Sequence, residues 1–338
     1  MIPASDLSWQ SDDWRRVLAA AVTDPLDLLQ RLGLSGHALR MHIDPANPFP
    51  LRVPEPLLRR MRHGDPDDPI LRQVLAHDDE RLDVPGFGTD PLGERHANAQ
   101  PGLLHKYRGR ALLIVTGGCA VHCRYCFRRH FPYEENNPGR RGLDAALEHL
   151  GSEPELREVI LSGGDPLLLD DDALAALLER LEALPNLQRL RIHTRLPVVI
   201  PQRVTAALAA RLGRGRLKPV LVLHVNHARE LGDDVDAGLE ALREWRIPLL
   251  NQSVLLRGVN DDVEALRELS ERLFDLGVMP YYLHLLDRVR GAAHFEVPEP
   301  EARALHDGLA ASTPGYLVPR LVREVAGAPG KSWLGSGW

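Results

Sequence analysis

All three cysteines of this 338-residue chain lie in one stretch, "GGCAVHCRYCFRRHF" (117–131), as Cys119, Cys123 and Cys126. The spacing is C-x3-C-x2-C. A tetrahedral structural zinc takes four protein ligands, commonly as CxxC pairs, so zinc here needs His122 or His130 as the fourth. Three thiolates on one short loop suit a cubane iron–sulfur cluster better, because a cubane has four irons and three ligands leave one open to a group that is not protein. The apolar run "ALLIVT" comes immediately before, which sets the open iron at the mouth of a sheet. A single thiol cluster is poor material for a disulfide framework and fits a reducing compartment, so the cytoplasm is expected.

A second reactive group is Lys331 in "GAPGKS" (327–332). A phosphate-binding loop fails there: G-x4-G-K-S requires glycine where the chain has Val325, and no helix follows. A lysine in a Gly- and Pro-rich turn behind the strand-like "GYLVPRLVREV" can instead form a Schiff base with an aldehyde cofactor, or it is a solvated tail lysine.

These groups need a scaffold. After a helical, Pro-punctuated leader and a loop through "VPGFGTDPLGERHANAQPG", short β-branched runs alternate with amphipathic helical ones: "ALLIVT", "LREVILSG", "LQRLRIHT", "LKPVLVLHV", "IPLLNQSVLL" and "VMPYYLHLL". Buried parallel strands with crossover helices follow, hence an α/β fold. Six such units are fewer than a closed eightfold barrel needs, which favours a partial, TIM-like (β/α)6 barrel with a mainly helical N-terminal extension; a doubly wound sheet is the alternative. The expected division is 1–101 for the extension, 102–313 for the barrel core, and 314–338 for a last strand and lysine segment that closes the site. Polar residues fall at the strand ends, where a βα architecture gathers them on one face: Ser162 and Asp165, His193 and Arg195, His224 and Asn226, Asn251 and Gln252, His284 and Asp287. His227 and His294 join His193, His224 and His284 as candidate hydrogen-bonding groups of a wet, polar mouth.

The "CAVHCRYC" segment resembles the radical S-adenosylmethionine enzymes. In that family the amine and carboxylate of S-adenosylmethionine chelate the open iron of a 4Fe–4S cluster, and reductive cleavage yields a 5'-deoxyadenosyl radical. "LSGGDPL" is similar to the family's glycine segment near the methionyl amine, which assigns Ser162, Gly163, Gly164 and Asp165 to the S-adenosylmethionine region, with Gln252 of "NQSVLL" as a nucleoside contact. From Pro101 onward the chain resembles the lysine 2,3-aminomutases, radical enzymes that also use pyridoxal phosphate, through "CRYCFRRHF", "RIHTRLPVVIPQRVT", "NQSVLLRGVND", "PYYLHLLDRVRGAAHF" and "TPGYLVPRLV". The resemblance implies that Lys331 carries pyridoxal phosphate as a Schiff base, that Arg128 binds the substrate carboxylate, that Arg195 lies near the pyridoxal phosphate, and that Asp287 and Glu324 hold the distant ammonium. Glu324 stands where the family has aspartate. The leader segments "AVTDPLDLL" and "NPFPLRVPEPLLRRMRHGDPDDPILRQVL" are similar to the short bacterial members that serve (R)-β-lysylation of elongation factor P. This implies conversion of (S)-α-lysine to (R)-β-lysine, free L-lysine as substrate, a reducing electron donor, and a functional link to an elongation factor P lysine ligase. With no cysteine outside the cluster, a homo-oligomer is expected to form without the C-terminal zinc site of the longer members.

Composition closes other routes. Lys plus Arg number 41 against 47 Asp plus Glu, a net charge of -6 with pI about 6.2, so no global basic field faces nucleic acid. No apolar run approaches the ~20 residues of a membrane span, and the polar N-terminus does not read as a targeting signal. Two rivals remain at this level. A related aminomutase acting on another amino acid, such as glutamate, would set a substrate carboxylate against Asp287 and Glu324. A zinc-stabilised RNA-binding module would use Arg124, Arg128 and Arg129.

Overall fold

The computed structural model describes residues 13–37, 42–94, 97–136 and 139–335. Residues 1–12 of the expected extension and the closing 336–338 lie outside the described residues. The leader folds into α1 (Asp13–Ala19), α2 (Pro25–Arg31) and the single turns α3 (Glu55–Leu58) and α4 (Pro69–Arg72). Local chemistry sets its boundaries: Asp24 caps α2 and Asp68 caps α4, each followed by proline at the first helical position. The leader is thus a helical extension of the barrel, and its Leu28, Leu29, Leu57 and Ile70 join the main core.

Strands β1 (Asn98–Gln100), β2 (Leu103–Tyr107) and β3 (Arg110–Thr116) pair antiparallel in order. The β1 strand falls inside the stretch read from sequence as loop. Then follow α5 (Gly139–Ser152), β4 (Glu158–Gly163), α6 (Asp171–Glu182), β5 (Arg189–Thr194), the turn α7 (Leu196–Val199), α8 (Ala206–Arg214), β6 (Lys218–Leu223), α9 (Asp233–Glu244), β7 (Leu249–Val254), α10 (Val263–Asp275), β8 (Val278–His284), α11 (Glu299–Ser312), β9 (Arg320–Arg323) and β10 (Ser332–Trp333). Asp170, Thr205 and Asp262 cap α6, α8 and α10 with side-chain oxygens, so these three crossover helices start where an acidic or hydroxyl residue precedes the apolar stripe.

The ten strands among the described residues form one sheet in simple sequence order. Pairing is parallel from β3 through β9 and antiparallel at both flanks. The order never reverses, so the sheet has no switch point and the doubly wound alternative is set aside. No pairing joins β1 to β10 among the described residues, so the barrel is partial. The six expected units are β3 to β8, and β9 adds a seventh parallel strand. Leu190, Ile192 and Thr194 bury one face of β5, while Arg191 and His193 take the other, less enclosed face. That alternation gives the lumen its polar lining. No helix among the described residues is long and apolar enough to cross a membrane.

Candidate active site

The cysteine loop leaves the end of β3 and is clamped from two sides. The loop after β4 presses on it: Gly164 N donates to Thr116 O (2.7 Å) and Asp165 N to Gly118 O (2.8 Å). A Cβ on Gly164 would lie 1.9 Å from Gly118 O, and Gly163 has φ +118°, so both positions require glycine. Gly164→Ala is expected to cost about 3 kcal/mol or more, since backbone must move, and to lower iron retention; thermal unfolding and iron analysis check it. From the other side the leader grips the loop. Arg124 is fully buried and donates to Glu80 (2.7 Å), Phe49 O (2.7 Å) and Asn47 Oδ1 (2.9 Å). Arg129 also bonds Glu80 (2.6 Å). Arg124, Arg128 and Arg129 thus face inward, which removes the basic surface the RNA-binding alternative needs. His122 bonds Pro50 O (2.9 Å) and His130 bonds Arg290 O (3.1 Å), so each candidate fourth zinc ligand already has one ring nitrogen engaged by backbone.

The three thiols share one space. Burial first, then the proximity of Cys126 and Cys123, pushes Cys119 well above the ordinary thiol range, and burial with Cys123 pushes Cys126 up to about 11. The Cys119 and Cys126 thiolates are disfavoured here without a cation, a charge that cluster iron would supply.

Asp165 does not offer a free carboxylate to a ligand. It accepts from Thr194 Oγ1 (2.7 Å) and from the backbone nitrogens of Arg195 (2.7 Å), Leu196 (3.0 Å) and Leu167 (3.0 Å), tying the ends of β4 and β5 together. Arg195 sits on the cluster side of the lumen, where its guanidinium meets Cys123 Sγ (2.7 Å), Tyr125 OH (2.8 Å), Gln73 (2.8 Å) and Glu230 (2.8 Å). None of these bonds runs to Lys331, and the Arg195 Nε is buried without a hydrogen-bond partner among the described residues.

A chain of alternating charges crosses the rest of the lumen. Arg128, at 6 % exposure, gives Nε and Nη2 to Glu94 (2.6 and 2.8 Å) and Nη1 to Ser162 Oγ (3.2 Å). Lys106 contacts Glu94 (3.2 Å) and Glu324 (3.8 Å). Tyr107 donates to Glu324 (3.0 Å), and Lys331 Nζ lies 2.6 Å from the other oxygen of Glu324. Burial opposes ionisation of Glu324, but Lys331 and Lys106 outweigh it and hold its carboxyl below the usual range. Asp287 goes the other way: burial first, then repulsion by Glu324, pushes it up to about 7. The lumen thus brings together Arg128, Ser162, Asp287, Glu324 and Lys331. Glu94, Lys106 and Tyr107 were missed by sequence reasoning. The hairpin signal "LLHKYRGRALL", with Gly109 at φ +80°, could have placed Lys106 and Tyr107 in the sheet; nothing local marks Glu94.

Three of the five candidate histidines line this space. His193 and His284 are held neutral, chiefly by burial; Arg191 adds to the shift at His193, and Lys331 lowers both. The Nε2 atom of each is shut away without a hydrogen-bond partner among the described residues. His224 stacks on Tyr125 and bonds its hydroxyl (3.0 Å). His227 instead caps a short turn through Arg229 N (3.1 Å). His294 stacks on His77 in a cleft of about 540 Å³ between leader and barrel that none of the cysteines, Asp287, Glu324 or Lys331 lines. Gln252 lies opposite Tyr282 in register, and the Tyr282 ring is 5.6 Å from Lys331 Nζ. Two orphaned imidazole nitrogens near the half-buried Lys331 fit polar organic cofactors, and the three loop thiols fit an iron–sulfur cluster, because each orphan costs stability until a ligand satisfies it.

The model of the Radical SAM superfamily matches residues 113–270. The chain is 52% identical over 324 residues to an L-lysine 2,3-aminomutase of Escherichia coli, covering 96% of this chain and 94% of that one. It is 47% identical to one of Haemophilus influenzae, with 98% of each covered. It is 34% identical to one of Clostridium subterminale, covering 97% of this chain and 78% of the relative. Near-full-length identity at this level, over a sheet that carries the three cysteines and the terminal lysine on one lumen, places the chain in the L-lysine 2,3-aminomutase family of radical S-adenosylmethionine enzymes.

Proposed function

We propose that the chain isomerises (S)-α-lysine to (R)-β-lysine by moving the α-amino group to the adjacent carbon, with a 4Fe–4S cluster, S-adenosylmethionine and pyridoxal phosphate as cofactors. One observation carries the substrate class: the ammonium of Lys331 rests on Glu324 at 2.6 Å with Asp287 beside it. That contact supports a primary alkylammonium as the group this end of the lumen takes. When bound, the cluster and S-adenosylmethionine supply a hydrogen-abstracting carbon radical, and pyridoxal phosphate at Lys331 supplies a carbonyl carbon for the migrating amine and a ring that delocalises spin. Cys119, Cys123 and Cys126 hold the cluster, and Ser162, Gly163, Gly164 and Gln252 border S-adenosylmethionine.

The chain's residues do the positioning. Arg128 binds the substrate carboxylate on the guanidinium edge that Glu94 leaves free, while Asp287 and Glu324 fix the far ammonium. A substrate held at both ends presents its Cβ at one place, and an error of ~1 Å there can cost about a hundredfold in rate. Neutral His193 and His284 donate or accept single hydrogen bonds without adding charge. The longer Glu324 side chain still supplies the carboxylate where the family has aspartate.

A glutamate substrate is disfavoured because its second carboxylate would meet Glu324, Glu94 and Asp287 in a shielded space. Anaerobic assays with lysine and glutamate in parallel decide between them. A β-amino product from lysine alone is expected; conversion of glutamate with lysine inert overturns the reading. The product then serves a ligase that attaches it to a lysine of elongation factor P, and that factor need not touch this chain. A low-potential reductant supplies the electron. Three free thiols and an oxygen-sensitive centre suit the cytoplasm.

A further inference from the structure

The guanidinium of Arg195 is a direct side-chain hydrogen-bond donor to a cluster cysteine: Nη1 lies 2.7 Å from Cys123 Sγ. The residue is 6 % exposed and its position is over-determined. Its backbone N donates to Asp165 (2.7 Å), Nη1 also reaches Tyr125 OH (2.8 Å), and Nη2 bridges Gln73 and Glu230 (2.8 Å each). Glu230 is fully buried and accepts in addition from Gln73 (3.0 Å), Asn226 N (3.0 Å) and His227 N (3.1 Å). Gln73 belongs to the leader and is anchored on Pro69 O (3.0 Å). Arg128 and Arg129 also lie near Cys126, yet each is ion-paired, with Glu94 and with Glu80 respectively.

We propose that Arg195 is a positioning residue for the cluster's redox chemistry, donating to the Cys123 sulfur while Glu230 sets how much of its positive charge that sulfur feels. This goes beyond the substrate reading and rests only on the cluster being bound at the three cysteines. Reduction adds one electron from a low-potential one-electron donor; no proton is taken up and no bond to Arg195 breaks. The added negative charge spreads over iron and its sulfur ligands. A hydrogen bond from a cation stabilises the reduced cluster more than the oxidised one, so it raises the midpoint potential. The leader takes part through Gln73, which holds both members of the Arg195–Glu230 pair.

The test is an EPR-monitored redox titration of the reconstituted full chain, comparing wild type with Arg195→Gln and Glu230→Gln. Arg195→Gln removes the cation and is expected to move the midpoint to more negative potential and to slow reductive cleavage of S-adenosylmethionine. Glu230→Gln removes the countercharge and leaves the donor in place, so the midpoint is expected to move the opposite way. Shifts of opposite sign at unchanged iron content support the proposal. Unchanged midpoints, or shifts of the same sign, overturn it in favour of a packing role. If Arg195→Gln loses its cluster, Glu230→Gln decides alone, and a midpoint there that is not raised overturns the proposal. A wild-type chain without a four-iron EPR signal overturns the cluster reading beneath it.

Discussion

Lys331→Ala is expected to abolish β-lysine formation, a loss on the order of 10³-fold or more because the substitution deletes the covalent attachment point, while iron content and the cluster spectrum stay at wild-type level. The separation follows from the lumen's layout. Lys331 contacts Glu324 and the Tyr282 ring, whereas the cysteine loop is held by Glu80, Gln73 and the turn after β4. Borohydride treatment of the pyridoxal phosphate-loaded protein followed by peptide mass analysis is expected to find the modification on Lys331 in wild type and on no lysine in the variant. Trapping elsewhere, or a variant that keeps a tenth of its activity, removes Lys331 from the chemistry.

Asp287→Asn is expected to do two opposed things. Substrate binding weakens, with KM for lysine rising about 10- to 100-fold, the range expected when a buried charge loses its partner (~1.4 kcal/mol per tenfold). Wild-type KM should also rise as pH falls through about 7, where Asp287 takes up a proton, and the Asp287→Asn variant should lack that inflection. Stability moves the other way. The folded-state value of about 7 lies above the ordinary 3.8, so the folded protein binds this proton more tightly than the unfolded chain does. The stabilisation from the bound proton is fully present below about pH 4 and is lost as pH rises through 7. Above pH 7 the ionised group therefore costs the fold at most about 4 kcal/mol, at ~1.4 kcal/mol for each pH unit between the two values. Asp287→Asn should unfold at higher temperature than wild type at about pH 8 and close to wild type at about pH 4.5. A variant less stable at the higher pH contradicts this. A carboxylate kept at a cost to the fold is what a binding site for a cation requires.

The barrel was legible because its strands are short apolar runs bounded by turns, and their ends were read to within a few residues: "LQRLRIHT" contains β5 (Arg189–Thr194) and "VMPYYLHLL" contains β8 (Val278–His284). The cysteines and Lys331 were legible because their types are rare and their spacing is local. What escaped was pairing over distance. Glu94 meets Arg128 across 34 residues, and Gln73 meets Arg195 across 122; no periodicity carries such a contact. Arg195 shows the same limit at one position. Its strand end was legible, but the bonds of its guanidinium to Cys123, Gln73 and Glu230 were not. The β1–β2 pair in front of β3 was overlooked, and β1 in particular is three residues long and sits in a Gly- and Pro-rich stretch, where turn chemistry outweighs strand propensity.

The central claim is that the amine itself migrates within one lysine molecule held between Arg128 and the Asp287–Glu324 pair. The most direct measurement is anaerobic turnover of lysine carrying ¹⁵N only on its α-nitrogen, with the iron-reconstituted chain, S-adenosylmethionine, pyridoxal phosphate and reductant, and with the product's nitrogen positions read by NMR. The account predicts β-lysine with ¹⁵N on carbon 3 and none on the ε-nitrogen. Cleavage of S-adenosylmethionine with the lysine recovered unchanged, or β-lysine whose carbon-3 nitrogen is unlabelled, would contradict it.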